Sequence, residues 1–314
     1  MYDKLYIKIA YWYYTLGLTQ DEIAKRLSFT RQKVNHIINS LVDLGVVTIN
    51  IHGYESENME NESYLEEAFG LKRAIIASDY GESETALYKV TNVAAQYLES
   101  TIQQGDVIGL SWGQTLSNVI ASMTYQKRSN CRVVQLIGAQ NIEKTALKSD
   151  EIVRELANKL DCPSYMLHAP VVVDYEETKE MLMKEKTVRA SFDCMRKCNI
   201  GVFGIGELSE KSTMCKRGYI QKEDMERMRA EGFTSDIGMN PIRLDGSFDH
   251  CHLEKRILNA GMDIIGQIDN VIAVASGIEK AEAILSVLRT KCVDTLIVDE
   301  TTAKKIIQEK RRSL

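Results

Sequence analysis

Two capped helices separated by a short turn are the feature that most restricts the fold of this sequence. Thr19 and Glu22 have the spacing of a capping box, in which each side chain satisfies a backbone N–H at the start of a helix. Ser28 and Phe29 interrupt that helix, and Thr30 is a suitable N-cap for the next one. The spacing therefore predicts a helix-turn-helix within Thr19–Gly45.

Apolar spacing indicates which positions of this segment are buried. In the second helix it predicts one buried stripe, made of Val34, Ile37, Ile38, Leu41 and Leu44, before Gly45 ends the helix. A first helix is predicted to cover the other two through Leu5, Ile9, Trp12, Tyr13 and Leu16. After the stop, Val46–His52 alternates as a half-buried strand does, which predicts a small wing.

The outward face of the second helix carries cations that suit phosphates and side chains that can pair with base edges. We therefore predict contact with double-stranded operator DNA. The candidate DNA-binding residues are Thr19, Gln20, Thr30, Arg31, Gln32, Lys33, Asn35 and His36. The alternative is a three-helix bundle with a merely solvated polar face, and the turn, the two caps and the predicted wing together favour DNA binding.

Charge is distributed unevenly along the 314 residues. The net charge is −5, yet residues 1–52 contain six Lys or Arg against four Asp or Glu, so phosphate contact is expected at this end. We find no apolar stretch of membrane-spanning length and no signal-peptide pattern, and we expect a cytoplasmic protein without membrane contact.

Composition changes after the basic segment. Tyr54–Ala68 contains six glutamates and no Lys or Arg, which predicts a solvated acidic connector that leads into a helix. The predicted domains are therefore a winged helix-turn-helix at 1–53, a linker at 54–68 and an effector-binding and oligomerisation domain at 69–314.

Beyond the connector, apolar runs alternate with amphipathic stretches, the pattern of a parallel α/β sheet. The predicted strands are Ala74–Ala77, Val107–Leu110, Arg132–Ile137, Tyr165–His168, Ile200–Ile205, Val271–Ala275 and Thr295–Val298. The predicted helices are Glu84–Ile102, Gln114–Tyr125, Asp150–Leu160, Glu176–Lys197, Lys222–Ala230, Lys280–Arg289 and Thr301–Glu309.

One strand-to-helix turn in this pattern suits an anion. Val107–Leu116 reads VIGLSWGQTL, in which Gly109 and Gly113 permit close backbone approach and the hydroxyls of Ser111 and Thr115 could donate to a phosphate. Free N–H groups at the start of a helix favour negative charge. The segment therefore predicts a site for a phosphorylated small molecule, although a turn of this kind can also be purely structural.

A family resemblance follows from motifs spread over nearly the whole chain. In order, the sequence contains TQDEIAKRL, TRQKVNHII, GLSWGQTL, VVQLIGAQ, VFGIG, RGYI, SDI and SGIEKAEAILSVLR. Together they resemble the SorC family of bacterial sugar-responsive transcriptional regulators. The resemblance implies a winged DNA-binding domain and a Rossmann-like effector domain related to ribose-5-phosphate isomerase and glucosamine-6-phosphate deaminase. It also implies a homotetramer that responds to phosphorylated sugars or similar metabolites.

The resemblance also implies positions for the effector. It places a phosphate at Ser111–Thr115, makes Gly138 and Gly206 the pocket floor, and assigns sugar hydroxyls to Asp236 and a ligand-facing cation to Lys280. The candidate effector residues are Ser111, Trp112, Gly113, Gln114, Thr115, Gln135, Gly138, Gly206, Asp236 and Lys280. No catalytic residue, metal ligand or cofactor is predicted.

Two departures from the family pattern predict an altered pocket. Ile137, Gly138 and Ala139 stand where the family commonly has a polar residue and two glycines, and Ser235 replaces the glycine of the usual Gly-Asp-Ile motif. A bulky aromatic pair that commonly follows that motif is also missing here. We therefore carry over no particular sugar.

Two other classes of function remain open. A sugar-phosphate isomerase or deaminase would need a positioned base, for which Asp236 beside Lys280 is the candidate. A metal- or redox-sensing regulator could use cysteine and histidine side chains, although their spacing matches no common zinc motif. The residues considered for such a sensor are Cys194, Cys198, His250, Cys251 and His252.

Overall fold

The computed structural model of the protein describes residues 4–48, 56–78, 86–139, 149–209, 212–216 and 220–312. The chain divides into two compact units, Met1–Ser56 and Glu57–Leu314. None of the helices in the described ranges is both long enough and apolar enough to cross a membrane.

The N-terminal unit is helical where it is described. Its elements are α1 (Lys4–Ala10), a π-helix (Tyr11–Thr15), α2 (Gln20–Leu27) and α3 (Arg31–Ser40). Its buried core consists of Ile9, Ala10, Ile23, Ala24, Val34, Ile37, Ile38 and Leu41. This core contains four of the five residues predicted for the stripe of the second helix.

Two leucines predicted to be buried are half exposed, Leu16 and Leu44, each at 50%. The N–H of Leu16 donates to Tyr11 O, five residues back, at 3.1 Å. This wider π-helical turn breaks the α-helical spacing on which the prediction depended. Leu44 follows the end of α3 at Ser40, so helical spacing no longer places it on the buried face.

The predicted wing strand Val46–His52 is wrong over its first part. The N–H groups of Val46 and Val47 both donate to Leu41 O, at 2.9 and 3.1 Å, so they close a turn instead of joining a β-ladder. Residues 49–52 of the predicted strand lie outside the described residues.

The larger unit is an α/β fold. Its described strands are β1 (Arg73–Ala77), β2 (Val107–Leu110), β3 (Arg132–Gln135), β4 (Ser164–Tyr165), β5 (Ile200–Glu207), β6 (Phe233–Ile237), β7 (Asn240–Arg243), β8 (Asn270–Val274) and β9 (Thr295–Asp299). Its described α-helices are α4 (Ser56–Phe69), α5 (Ala86–Thr101), α6 (Gln114–Ser122), α7 (Ser149–Leu160), α8 (Glu176–Lys184), α9 (Lys186–Met195), α10 (Thr213–Lys216), α11 (Lys222–Ala230), α12 (Met262–Ile265), α13 (Ala281–Arg289) and α14 (Glu300–Arg312).

A parallel sheet forms the centre of this unit, as predicted. Its strand order is β1-β9-β8-β5-β2-β3-β4, with parallel pairing between all neighbours. The first part of β5 belongs to this sheet, whereas Ile205–Glu207 pairs antiparallel with β6. β6 and β7 then form a hairpin.

The β6–β7 hairpin was not predicted from the sequence. Its two central residues, Gly238 and Met239, have φ values of 59° and 63°. A two-residue hairpin turn with both φ values positive normally has Asn-Gly or a similar pair, and methionine gives no such signal. The Met239 N–H donates to Asp236 Oδ2 at 3.0 Å, which stabilises this uncommon conformation.

Burial on both faces explains the apolar character of the parallel strands. In β8, Val271 and Ala273 belong to one core cluster, whereas Ile272 and Val274 belong to another on the opposite face. The second cluster includes residues of α5, α6 and α7, and the first includes residues of α4, α9, α13 and α14. Helices therefore cover the sheet on both sides, as in other parallel sheets.

The predicted helix Glu176–Lys197 is two helices, α8 and α9. Glu185 between them is extended, with φ −65° and ψ 134°, and it precedes α9 as its N-cap residue. The predicted helix Gln114–Tyr125 ends earlier, at Ser122, because Met123 has extended backbone angles.

The predicted acidic connector is also corrected by the structure. From Ser56 onward its residues form α4, in which Leu65 is fully buried. Glu62 Oε1 accepts a hydrogen bond from Ile76 N at 2.7 Å, and Glu66 Oε1 accepts one from Ala74 N at 2.9 Å. Two of the glutamates therefore satisfy N–H groups of the edge strand β1, which would otherwise lack acceptors.

We predict that Glu66→Ala lowers the free energy of unfolding of the larger unit by about 1 to 3 kcal/mol, because the buried Ala74 N–H loses its acceptor. Urea denaturation followed by circular dichroism measures the change. Glu67→Ala, at an exposed position of the same helix, is the matched control. Equal stabilities of the two variants would contradict a role for Glu66 at the edge strand.

Candidate functional site

The candidate site lies at the carboxyl ends of β2 and β5. These strands are neighbours in the sheet, but β3 and β4 extend the sheet on one side of β2, whereas β8 and β9 extend it beyond β5. Ligands of open α/β sheets bind where the strand order reverses in this way.

A cavity of about 350 Å³ occupies this position. It combines a strand-to-helix turn, the end of β5, the β6–β7 hairpin and the segment before α13. The described lining residues are Ser111, Trp112, Gly113, Gln114, Thr115, Gly204, Ile205, Gly206, Glu207, Ser209, Ser212, Met214, Asp236, Gly238, Glu279 and Lys280.

The start of α6 provides the anion-binding features of this cavity. Gly113 is the N-cap residue, with φ 131° and ψ 161°, a conformation that a residue with a side chain rarely adopts. Ser117 N donates to Gly113 O at 3.0 Å, so the helical ladder begins there and the N–H groups just before it have no partner in the helix. The lining residues Gln114 and Thr115 lie in this first turn.

Asp236 and Gly206 form one structural unit within the site. They are direct partners in the antiparallel pairing of β6 with β5. A Cβ atom added to Gly206 would overlap Asp236 Oδ1, so the glycine provides the space that the carboxylate occupies. Any larger residue at position 206 would displace the carboxylate.

Burial governs the electrostatics of Asp236, which is 7% exposed. Loss of hydration raises the pKa of its carboxyl from the ordinary 3.8 to about 6. The Met239 N–H and the charge of Lys280 oppose this rise. The site therefore contains a carboxylate that is costly to keep ionised without further donors.

Lys280 reaches the cavity from a turn that a buried carboxylate holds in place. Asp299 accepts from Gly277 N at 3.0 Å and from the Thr302 hydroxyl at 2.7 Å. A 3-10 turn then covers Ile278–Lys280, with Lys280 N donating to Gly277 O at 3.0 Å. Among the described lining residues, Lys280 has the one positive side chain, and Asp236, Glu207 and Glu279 have the negative ones.

Eight of the ten predicted effector residues lie together in this lining: Ser111, Trp112, Gly113, Gln114, Thr115, Gly206, Asp236 and Lys280. Sequence reasoning missed several neighbours, notably Glu207, Glu279 and Gly238. Glu207 directly follows the VFGIG motif and Glu279 directly precedes Lys280, so both could have been included as motif neighbours. Gly238 belongs to the hairpin that was not predicted.

Gln135 and Gly138 are corrections, because both lie outside the described lining. Gln135 is 1% exposed, and its Nε2 donates to Ile137 O and Ser149 Oγ while its Oε1 accepts from Leu167 N. A Cβ added to Gly138 would lie 2.7 Å from the backbone of Pro170. Gln135 therefore satisfies internal hydrogen bonds, and Gly138 permits close packing against the backbone of Pro170.

The N-terminal unit presents a second candidate surface, on α3. The predicted caps are present: Thr19 and Glu22 form the capping box of α2, and Thr30 Oγ1 accepts from Lys33 N at 3.2 Å at the start of α3. Gln20 Nε2 donates to Asn35 Oδ1 at 3.0 Å, which joins α2 to α3. Gln20 therefore positions the second helix.

The outward side of α3 is polar and open. A shallow depression there is lined by Thr30, Gln32, Lys33, Asn35, His36 and Asn39. Arg31 lies 3.8 Å from Asp21, with both side chains well exposed, and the Lys33 ammonium lies 3.8 Å from the centre of the Phe29 ring. The structure thus brings four of the predicted DNA-binding residues of α3 to one depression, Gln32, Lys33, Asn35 and His36, whereas Arg31 lies beside Asp21.

The cysteine and histidine set considered for a sensor is not assembled as one cluster. In the described part of the chain, Cys194 and Cys198 belong to no group of three or more neighbouring metal-ligand side chains. Burial raises the pKa of the Cys198 thiol to about 12. The His250 side chain is 88% exposed and lies beside Asp249.

The cavity and the polar α3 surface together are typical of a ligand-responsive regulator, and comparison with known proteins agrees. Residues 55–308 match the family described as "Putative sugar-binding domain". The erythritol catabolism regulatory protein EryD of Brucella abortus is 27% identical, over 97% of this chain and 96% of that protein. The deoxyribonucleoside regulator of Bacillus subtilis is 24% identical, over 98% of each chain.

A solved structure extends the likeness to the whole fold. The full-length sorbitol operon regulator SorC from Klebsiella pneumoniae matches with a TM-score of 0.74 at 23% identity, covering 96% of this chain and 97% of that one. The chain belongs to the sugar-binding domain family of SorC-type transcriptional regulators.

We predict that Asp236→Asn stabilises the protein at neutral pH. The folded-state pKa of Asp236 is raised, so the folded protein binds more protons than the unfolded one between about pH 4 and pH 6, and wild-type stability falls as pH rises through that window. Removing the charge should raise the free energy of unfolding at pH 7.5 by about 1 to 3 kcal/mol, with little difference at pH 4.

Urea denaturation at a series of pH values tests this expectation. Asp245→Asn provides a control of opposite sign, because hydrogen bonds from Ser247 lower the pKa of that exposed carboxyl. An Asp236→Asn protein less stable than wild type at pH 7.5 would show that the partners of the carboxylate outweigh its burial.

Proposed function

We propose that this protein is a transcriptional regulator whose binding to operator DNA is controlled by a phosphorylated sugar or related metabolite in the cavity at the start of α6. The relatives named as regulators, EryD at 27% identity over 97% of this chain among them, carry the regulatory part of this proposal. The family match over residues 55–308 supports a sugar-type ligand. The grouping of the helix N-terminus, Asp236 and Lys280 in one cavity supports the choice of effector class.

For DNA binding, we propose that the N-terminal unit, spanning 1–53, is a helix-turn-helix domain with α3 as its recognition helix. The second helix of such a domain lies in the major groove, where its N-terminal residues read base edges. Gln32, Asn35 and His36 are at the start of α3 and offer the necessary donors and acceptors. Arg31 and Lys33 are suited to phosphates.

For the effector, each part of the ligand has a chemically matched group. N–H groups of a first helical turn bind phosphate, so we assign the phosphate of the ligand to Gly113–Thr115. Asp236, once ionised, accepts hydrogen bonds from hydroxyl groups, as do Glu207 and Glu279. Lys280 adds a cation. A ligand with one anionic group and several hydroxyls meets all these requirements, which is the chemistry of a sugar phosphate.

An enzymatic role is the runner-up, since Asp236 has a pKa near the range of a useful general base. The relatives are transcriptional regulators, and a regulator needs only to bind its ligand. We therefore propose that the site is non-catalytic. We also propose that the larger unit is a Rossmann-like effector domain and that the protein is cytoplasmic.

Control of DNA binding requires coupling between two states. We propose a homotetramer in which paired N-terminal units contact half-sites about one helical turn, or a multiple of it, apart. The effector can shift the arrangement of subunits only by the difference between its affinities for the two states. Both release from DNA and tighter binding satisfy this requirement.

We predict that Gln32→Ala weakens binding to specific DNA by about 1 to 3 kcal/mol, because an amide contact to a base edge is lost. Fluorescence anisotropy with a duplex that the wild-type protein selects from a random pool measures the loss. Random-sequence duplex is the DNA control, and Gln267→Ala, an exposed glutamine of the larger unit, is the matched variant. Equal weakening on both duplexes would contradict a base contact by Gln32.

We predict that phosphorylated sugars raise the melting temperature of the wild-type protein and that Lys280→Ala greatly reduces this rise, since a ligand stabilises the state that binds it. A thermal-shift screen of phosphorylated and free sugars measures both. Lys197→Ala, an exposed lysine of another segment, should respond as wild type does.

Three outcomes would contradict parts of this proposal. A hit that the protein converts to product would favour the enzyme. No response to any phosphorylated sugar would contradict the effector class. An unchanged response in Lys280→Ala would remove that lysine from the site.

A further inference from the structure

A second group of chemically reactive side chains lies away from the effector cavity. Glu231, Cys251 and His252 each offer one ligand atom, and these atoms all lie within 4.8 Å of one another. Glu231 follows the end of α11, whereas Cys251 and His252 lie in the segment after β7. We propose that these three side chains bind a zinc ion.

The three ligand atoms favour zinc over other metal ions. A cysteine thiolate, an imidazole nitrogen and a carboxylate oxygen are the ligands that zinc takes in proteins. Hard cations such as Mg²⁺ and Ca²⁺ prefer oxygen ligands throughout. Three protein ligands leave one position of a tetrahedron for water or another donor.

The orientation of His252 suits metal binding through Nδ1. Its Nδ1 lies 3.2 Å from Glu231 Oε2, on the side of the proposed ligands. Its Nε2 lies 3.4 Å from Asp224 Oδ1. A carboxylate that accepts from one ring nitrogen fixes the tautomer and leaves the other nitrogen free to bind metal, which is the usual arrangement around zinc-bound histidines.

Both carboxylates of this arrangement are themselves held by arginines. Arg227 Nε donates to Glu231 Oε1 at 3.0 Å, which leaves Oε2 directed toward His252. Arg256 donates to Asp224 Oδ1 at 3.0 Å. Outer contacts of this kind orient metal ligands before the metal arrives.

Two of the three proposed ligands are largely shielded from water, whereas the Glu231 side chain is 28% exposed. Cys251 is 4% exposed and the His252 side chain is 12% exposed. A zinc ion here would join the end of α11 to the segment after β7. Since β6 begins at Phe233, two residues after Glu231, the metal would tie down the base of the hairpin that contains Asp236.

The competing explanation is a metal-free ion cluster. A protonated imidazole can donate from both nitrogens, so His252 could simply bridge Glu231 and Asp224 as a cation. This arrangement makes no use of the Cys251 thiol, so the thiol separates the two explanations.

Cobalt substitution tests the proposal, because Co²⁺ occupies zinc sites and a thiolate ligand gives it an intense near-ultraviolet charge-transfer band. We expect the full-length protein to retain about one zinc or cobalt ion per chain after desalting, and zinc to raise its melting temperature. Cys251→Ser should abolish the thiolate band. Cys198→Ser, which removes an equally buried thiol, should keep it.

If Cys251→Ser does not fold, two further variants still test the proposal. His252→Gln should lose the metal, and Asp224→Asn should retain it with an affinity lower by about 10- to 100-fold, because Asp224 acts only through His252. The proposal is overturned if the wild-type protein retains no metal, if the thiolate band persists in Cys251→Ser, or if Asp224→Asn binds zinc as tightly as wild type does. None of these metal measurements uses the effector, so failure of the zinc proposal and failure of the proposed effector are distinguishable.

Discussion

Burial of both faces of the parallel sheet is the constraint on which the rest of the larger unit depends. Alternate residues of β8 enter opposite cores, and helices cover each face. A ligand therefore has access only to the ends of the strands. After β2 the chain adds strands on one side of the sheet, and after β5 it adds strands on the other side. The connecting segments that leave β2 and β5 therefore separate, and a cavity remains between them.

Burial of a carboxylate in the candidate cavity opposes the stability of the free protein. Gly206 provides space for a carboxylate that burial penalises, and this burial raises the pKa of Asp236 to about 6. A ligand that donates hydrogen bonds to the carboxylate would recover part of the cost. Binding sites that reduce the stability of the free protein are known in other proteins.

Parts of the structure that depend on neighbouring residues could be predicted well. The caps at Thr19 and Thr30 are present, and six of the seven predicted strands match strands of the sheet. The seventh, Tyr165–His168, shares only Tyr165 with β4, which is Ser164–Tyr165. Predictions failed where the backbone departed from regular helix or strand geometry. The π-helical turn before Leu16 made the predicted burial of Leu16 wrong, and the hairpin turn with positive φ at Met239 was not predicted. The role of Gln135 was also misassigned, because a polar residue inside a strand motif can serve internal hydrogen bonds as readily as a ligand.

The sequence by itself determined the order of most helices and strands, the helix caps, the family and many residues of the candidate cavity, because periodicity, capping and motifs operate within a few positions of the chain. Only the tertiary structure decided which distant residues meet. It placed Gly206 against Asp236, the glutamates of α4 on the edge strand β1, and Glu231 beside Cys251 and His252. These contacts join residues of different strands, helices and loops, so their geometry depends on how those elements pack.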